Sequence, residues 1–242
     1  MPQITSAGKS DAGLKRSNNE DAFAVESRLG LCLLADGMGG AAAGELASRI
    51  FIKSSLDVFS ESDSRSEKES LKLAQRAFSS ANEGILDHVA EQPQHKGMGC
   101  TAELIAFCNG SFVLGHVGDS RTYRLRKGEL KQLTQDHSLV QDQVNKGLIT
   151  PEEARTHSLK NVILRAVGLE DSLAVDFIRG KTRLNDLFLL CSDGLTDMID
   201  DTAIREVLLS VISLSEKADN LIELAKSAGG YDNITVVLAE IV

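Results

Sequence analysis

An α+β fold, with antiparallel sheets covered by helices, is predicted from three observations on this 242-residue chain. Short apolar runs come in clusters, the helical segments arrive in pairs, and the turn dipeptides Asn109-Gly110 and Lys127-Gly128 separate neighbouring runs as hairpin punctuation. A doubly wound parallel sheet would instead require strand and helix to alternate one by one.

In chain order, the first thirteen residues, MPQITSAGKSDAG, contain no apolar stretch of signal-peptide length. Apolar or alternating runs at 22–25 and 29–35 read as strands. A helical stripe of Ala47, Ile50, Phe51, Ser54 and Val58 follows, and then a second of Leu71, Ala74, Phe78, Ala81, Ile85 and Val89. The Ser-, Glu- and Asp-rich stretch 60–70 reads as the exposed connection between them. Strands are expected at 101–107, 112–117 and 122–125. Residues 134–168 then interrupt the strands with two short helices and read as a flap; within it Thr150-Pro151-Glu152-Glu153 supplies an N-cap, a proline in the first turn and a capping-box glutamate. Strands at 174–178 and 187–191 come next. Apolar stripes of Ile204, Val207, Leu208 and Val211, and of Ala218, Leu221, Ile222 and Ala225, follow before a last strand at 234–241.

With 42% hydrophobic residues the chain can bury one sizeable core, and a single domain over 1–242 is expected. Lys plus Arg number 26 against 35 Asp plus Glu, and the net charge of -9 argues against a general partnership with nucleic acid or an anionic membrane surface. The longest apolar runs fall far below the roughly 20 residues that span a bilayer. A cytoplasmic monomer is the expectation. Cys32, Cys100, Cys108 and Cys191 lie in or beside apolar runs without C-x-x-C spacing, so reduced, buried thiols are expected and a zinc site is not.

Three remote aspartates carry the chemistry. Asp36 and Asp193 each close an apolar run (LGLCLLA-DGMGG and DLFLLCS-DGL), which places both carboxylates at strand ends, and Asp232 stands in GGY-DN before another strand. Acids gathered at strand ends point to one pocket built around hard cations, because Mg²⁺ and Mn²⁺ favour oxygen donors. In Asp36-Gly37-Met38-Gly39-Gly40 the glycines let the backbone approach closely, so that a carbonyl can join the carboxylate. Taken singly, Asp before glycine is an ordinary turn signal. Arg16, in RSNNED with Glu20 and Asp21, carries a planar fork suited to phosphate, although a lone arginine beside acids is equally a solvated surface residue. Asp119, in VGDSR, reads on its own as a hairpin turn.

Together, RSNNEDAF, DGMGG, GMGCTA, VGDSR, LLCSDGLTDM and GGYDNITVV, in this order across residues 10–240, resemble the motifs of the metal-dependent type-2C (PPM) Ser/Thr protein phosphatases, the compact bacterial members especially. The resemblance implies a central β-sandwich of two antiparallel sheets flanked by helices, with two Mg²⁺ or Mn²⁺ ions at one end. It implies that Asp36 bridges both metals, that the Gly37 carbonyl binds the second, and that Asp193 and Asp232 hold the first. Glu20 and Asp21 match acids near the second metal, Arg16 matches the arginine that grips the substrate phosphate, and Asp119 matches a residue that helps hold a more weakly bound third metal. The implied activity is hydrolysis of phosphoserine and phosphothreonine in proteins, opposing a bacterial Ser/Thr kinase. The alternative is a pseudophosphatase that keeps the fold as a binding module; its signature would be degenerate ligands, whereas Asp36, Gly37, Asp193 and Asp232 are all present.

One departure bears on mechanism. Many eukaryotic relatives carry histidine after the Asp-Gly, a candidate general acid, and this chain has Met38, which cannot donate a proton. A metal-bound water or a flap histidine, His137 or His157, is the expected substitute.

Overall fold

The protein is described by a computed structural model covering residues 4–39, 43–62 and 66–242. Along the chain run strands β1 (Ile4–Asp11), β2 (Ala22–Glu26), β3 (Leu31–Ala35) and β4 (Gly37–Met38), then helices α1 (Ala43–Ser60) and α2 (Glu67–Glu91). Strands β5 (Gly99–Cys100), β6 (Ala102–Cys108), β7 (Ser111–Val117), β8 (Arg121–Arg126) and β9 (Glu129–Gln132) follow. Short helices α3 (Leu139–Asn145) and α4 (Pro151–Thr156) precede β10 (Asp176–Lys181) and β11 (Leu187–Cys191). The chain closes with α5 (Asp193–Thr196), α6 (Asp201–Leu209), α7 (Leu214–Ser227) and β12 (Ile234–Ile241).

Two antiparallel five-stranded sheets, ordered β1-β12-β11-β8-β9 and β10-β7-β6-β3-β2, pack face to face. Cys32, Leu34, Ile105, Phe107, Phe112 and Leu114 from one sheet meet Phe188, Leu190, Val237, Ala239 and Ile241 from the other. The opposite face of the second sheet is covered by α1 and α2 through Ala47, Phe51, Phe78 and Ile85, and that of the first by α6 and α7 through Ile204, Leu208, Leu221 and Ile222. The result is an α/β/β/α sandwich. Because the central strands are buried on both faces, LCLLA, AELIAFC and LFLLC are near-continuous apolar runs with no polar alternation.

The registers bring the functional loops to one end. Ala22 pairs with Ala35, Ala102 with Val117, Arg121 with Cys191, Cys191 with Val236, and Asp11 with Ile234. Residues immediately beyond these pairs, among them Asp21, Asp36, Asp119, Asp193 and Asp232, therefore share a single rim.

The sequence reading passes over β1, β4, β5 and β9. β1 and β9 are edge strands, half-buried and polar, with no apolar run to mark them, while β4 and β5 have two residues each. β10 is likewise an edge strand, and it runs later than expected, from Asp176 to Lys181 instead of 174–178. Val211, expected on the apolar stripe of α6, lies beyond the end of that helix and is fully exposed. The connection expected at 60–70 falls in part, at 63–65, outside the described residues, as does Gly40 of the DGMGG motif. Thr150 and Glu153 form the expected capping box on α4. All four cysteines are free and buried. No helix among the described residues is long and apolar enough to cross a membrane.

Candidate metal centre

Asp36 follows β3 directly, and Thr101 pins it there: the Asp36 N–H donates to Thr101 Oγ1 at 2.9 Å, and the Thr101 N–H donates to the Asp36 carbonyl at 2.8 Å. Asp193 opens α5 after β11. Asp232 sits one turn ahead of β12, where its Oδ1 accepts from the Asn233 N–H at 2.8 Å. Asp21 precedes β2, and its Oδ2 accepts from Ser192 Oγ at 2.9 Å and Thr235 Oγ1 at 2.6 Å. Gly37 must be glycine, since a Cβ there would collide with the backbone oxygens of Gly44 and Glu20. The Glu20 carboxylate presses on Gly44 in the same way, which places it beside Gly37.

The electrostatics are those of a crowded acidic site. Burial, and then repulsion from Asp21, Asp193, Asp119 and Asp232, pushes the Asp36 carboxyl well above its ordinary range. Asp193 is raised in the same sense by burial and by Asp119, Asp197, Asp232 and Asp21. Asp21 is pushed up to about 6, chiefly by burial. Asp119 goes to about 7, by burial and then by Asp136. Arg16, more than half exposed, donates from Nη2 to Asp232 Oδ2 at 2.7 Å, and this bond raises its pKa. The nearby Arg121 guanidinium is already committed to Asp136, through Nε at 2.9 Å and Nη2 at 2.7 Å.

The donor set suits a hard divalent cation. Asp21 Oδ1 and Asp193 Oδ1 are buried without a hydrogen-bond partner, a cost that a bound cation removes. The side-chain donors of these acids are all oxygens, the chemistry that Mg²⁺ and Mn²⁺ prefer. Among the described residues, no three His, Cys, Asp or Glu side chains close into a ready-made cage; mutually repelling carboxylates ring the rim without converging on one point.

Between these acids and helices α3 and α4 lies a cavity of about 290 Å³ reached by Asp119 and Asp193, with Arg155, Lys160 and Asp197 among its walls. Neither His137 nor His157 lines it. His137 is a clasp: its Nδ1 accepts from the Gly118 N–H at 3.1 Å, its own N–H donates to the Gly118 carbonyl at 2.7 Å, and its Nε2 faces Asp176 Oδ2 at 3.3 Å. Burial, reinforced by His116, holds the His137 pKa down at about 4. His157 ends α4, where its Nδ1 accepts from the Leu159 N–H at 3.1 Å. The residues that support the acids, Thr101, Ser192, Asn233 and Thr235, lie inside the quoted motifs; Ser192 and Asn233 adjoin Asp193 and Asp232, Thr235 follows Asp232 by three residues and Thr101 follows Gly99 by two. That adjacency is the signal that could have singled them out.

A family model of protein phosphatase 2C matches residues 12–227. The chain belongs to the protein phosphatase 2C family. This phosphatase 2C chain is 43% identical over 236 residues to the serine/threonine protein phosphatase PstP of Mycobacterium tuberculosis; the match covers 98% of the chain and 45% of that relative, so the chain spans about half of its length. It is 38% identical to the serine/threonine phosphatase stp of Listeria monocytogenes, over 96% of the chain and 94% of the relative. The crystal structure of the catalytic domain of PstP in complex with two manganese ions superposes with a TM-score of 0.90 at 40% identity, covering 99% of this chain and 98% of that one.

Proposed function

We propose that this protein phosphatase 2C chain is a Mg²⁺- or Mn²⁺-dependent hydrolase of phosphoserine and phosphothreonine monoesters in proteins, its substrates supplied by a Ser/Thr kinase. The observation that carries the reading is the set of buried, mutually repelling acids from remote segments, two of them with orphan oxygens, gathered at one rim of the sandwich. The PstP catalytic domain with two manganese ions has the same fold, and supports two cations here. In this reading Asp36, the Gly37 carbonyl, Asp193 and Asp232 would hold the two cations, with Asp36 shared between them, Glu20 and Asp21 would stand near them, and Asp119 would contribute to a weaker third site. When bound, such cations generate a nucleophile at neutral pH and stabilise charge on the transferring phosphoryl group.

The chain's own residues do the rest. Arg16 spends one Nη on Asp232, and its remaining donors orient the phosphate oxygens. Thr101, Ser192 and Thr235 hold Asp36 and Asp21 by hydrogen bonds, so the ligands do not have to reorganise when the site fills. Residues 134–168 act as the flap, and the cavity between them and Asp193 takes peptide next to the phosphorylated residue. No proton transfer is assigned to His137 or His157, which lie off the cavity. We read the chain as one phosphatase domain that works as a cytoplasmic monomer without nucleic-acid or membrane partners. The pseudophosphatase alternative is disfavoured because the acids are intact.

The test is hydrolysis of a phosphothreonine peptide and of p-nitrophenyl phosphate by the purified protein. Turnover that depends on Mn²⁺ or Mg²⁺ and stops with EDTA is expected. Turnover indifferent to EDTA, or none with either metal, would refute the reading.

A further inference from the structure

We propose that Asn233 is a positioning residue that locks the loop carrying Arg16 and Glu20 onto the turn carrying Asp232, so that the phosphate grip and a metal ligand keep a fixed spacing. The proposal rests on the assignment of Arg16 to phosphate and of Asp232 to metal made above.

Apart from its bond to Asp232, Arg16 has little to hold it directly. Its side chain is more than half exposed, and the loop joining β1 to β2 contains no helix or strand. Its position must be inherited from its backbone, and that backbone is tied down from the Asp232 side. Asn233 is buried; its Nδ2 donates to the Ala12 carbonyl at 3.1 Å and to the Asn18 carbonyl at 2.9 Å, while its Oδ1 accepts from the Glu20 N–H at 2.8 Å. The three bonds bracket Arg16 on both sides. They use both N–H donors of the amide and its carbonyl, a combination that neither Asp nor Ser can reproduce. Two further features fit the loop to the same turn. The Leu14 N–H donates to the Gly230 carbonyl at 2.8 Å, and Gly13, at φ +74°, lies so close to the Asp232 carbonyl that a Cβ would collide with it. The Asn233 N–H also donates to Asp232 Oδ1, so one residue touches both the metal-ligand turn and the phosphate loop.

A double-mutant cycle tests this, with inhibition by inorganic phosphate and kcat and KM for p-nitrophenyl phosphate as readouts, alongside thermal melting. Arg16→Ala is expected to raise the phosphate inhibition constant about tenfold or more, the weight of one charge-assisted bond. Asn233→Ala should raise it by a comparable factor in the wild-type background, but by less than about twofold in the Arg16→Ala background, because the two act through one contact. Asn233→Asp keeps the acceptor for Glu20 and loses both donors, so it should behave like Asn233→Ala; it carries the test if the alanine variant does not accumulate as folded protein. A shift of equal size in both backgrounds, or a lower melting temperature with phosphate inhibition unchanged, would make Asn233 merely structural and overturn the proposal. An Arg16→Ala enzyme with unchanged phosphate inhibition would overturn the phosphate assignment itself, and the proposal with it.

Discussion

At the scale of the residue, the groups that weigh on Asp36 after burial are four other carboxylates, and Asp193 stands in the same position. Such a site is costly unless a cation enters it, so each acid matters to activity more than to packing. Asp36→Asn and Asp193→Asn are expected to lower kcat at least about 100-fold, beyond what even supporting residues of a metal site cost, while their metal-free melting temperatures hold or rise as repulsion is relieved. Unchanged kcat in either variant would remove that acid from the machinery. His137 differs in kind, since its Nδ1 already accepts from Gly118 and its pKa is held at about 4. His137→Ala should lower stability and leave the shape of the pH–rate profile between pH 6 and 9 unaltered; loss of one limb of that profile would restore the acid role. The aspartates were legible in the sequence because each combines a strand end with a turn signal. The engagement of His137 was not, because Gly118 lies 19 residues away and no local pattern announces that contact.

At the scale of the element, what holds the rim together is the layer between the sheets. Phe188 lies there against Phe107 and Phe112, with ring centroids 5.2 and 5.1 Å away at near-perpendicular tilts. Phe188→Ala should cost about 3–5 kcal/mol in chemical denaturation, since the cavity it leaves is walled by both sheets; a loss below about 1 kcal/mol would mean that the sheets are not coupled through this residue. Helix α4 depends on local chemistry instead. Thr150→Ala removes its capping box and should destabilise that helix by about 1 kcal/mol, seen as faster amide exchange over 151–156 with the global melting temperature little changed. Central strands and long helices were readable because burial on one or both faces writes a period or an apolar run into the sequence. Edge strands β1, β9 and β10 were missed or misplaced because half their surface is solvated; β1 and β10 also pair with distant partners, β12 and β7, whereas β9 pairs with its neighbour β8 across the Lys127-Gly128 turn.

At the scale of the whole molecule, folding forces acids from the β1–β2 loop, the end of β3, the end of β11 and the start of β12 into one rim, and stability becomes linked to protons and metal. Asp21 and Asp119 rise from an ordinary value of 3.8 to about 6 and about 7, so the metal-free folded state holds protons that the unfolded chain releases. The sign follows: their contribution is fully present below about pH 4 and is lost as the pH climbs through 6 to 7. A divalent cation needs the deprotonated acids, so the rise in melting temperature produced by Mn²⁺ should grow between pH 5 and 7.5; an increment that stays flat or shrinks would contradict the linkage. The family of the chain was legible in six ordered motifs, whereas the cross-links that join them depend on the fold and become visible only once the strands are in register.

The most direct test of the account is anomalous diffraction at the manganese edge from crystals grown with Mn²⁺. Two strong peaks are expected within coordination distance of Asp36, one of them also touching Asp193 and Asp232, and both should vanish in Asp36→Ala. Peaks elsewhere on the protein, or none among these three aspartates at millimolar Mn²⁺, would contradict the assignment of a metal centre to this rim.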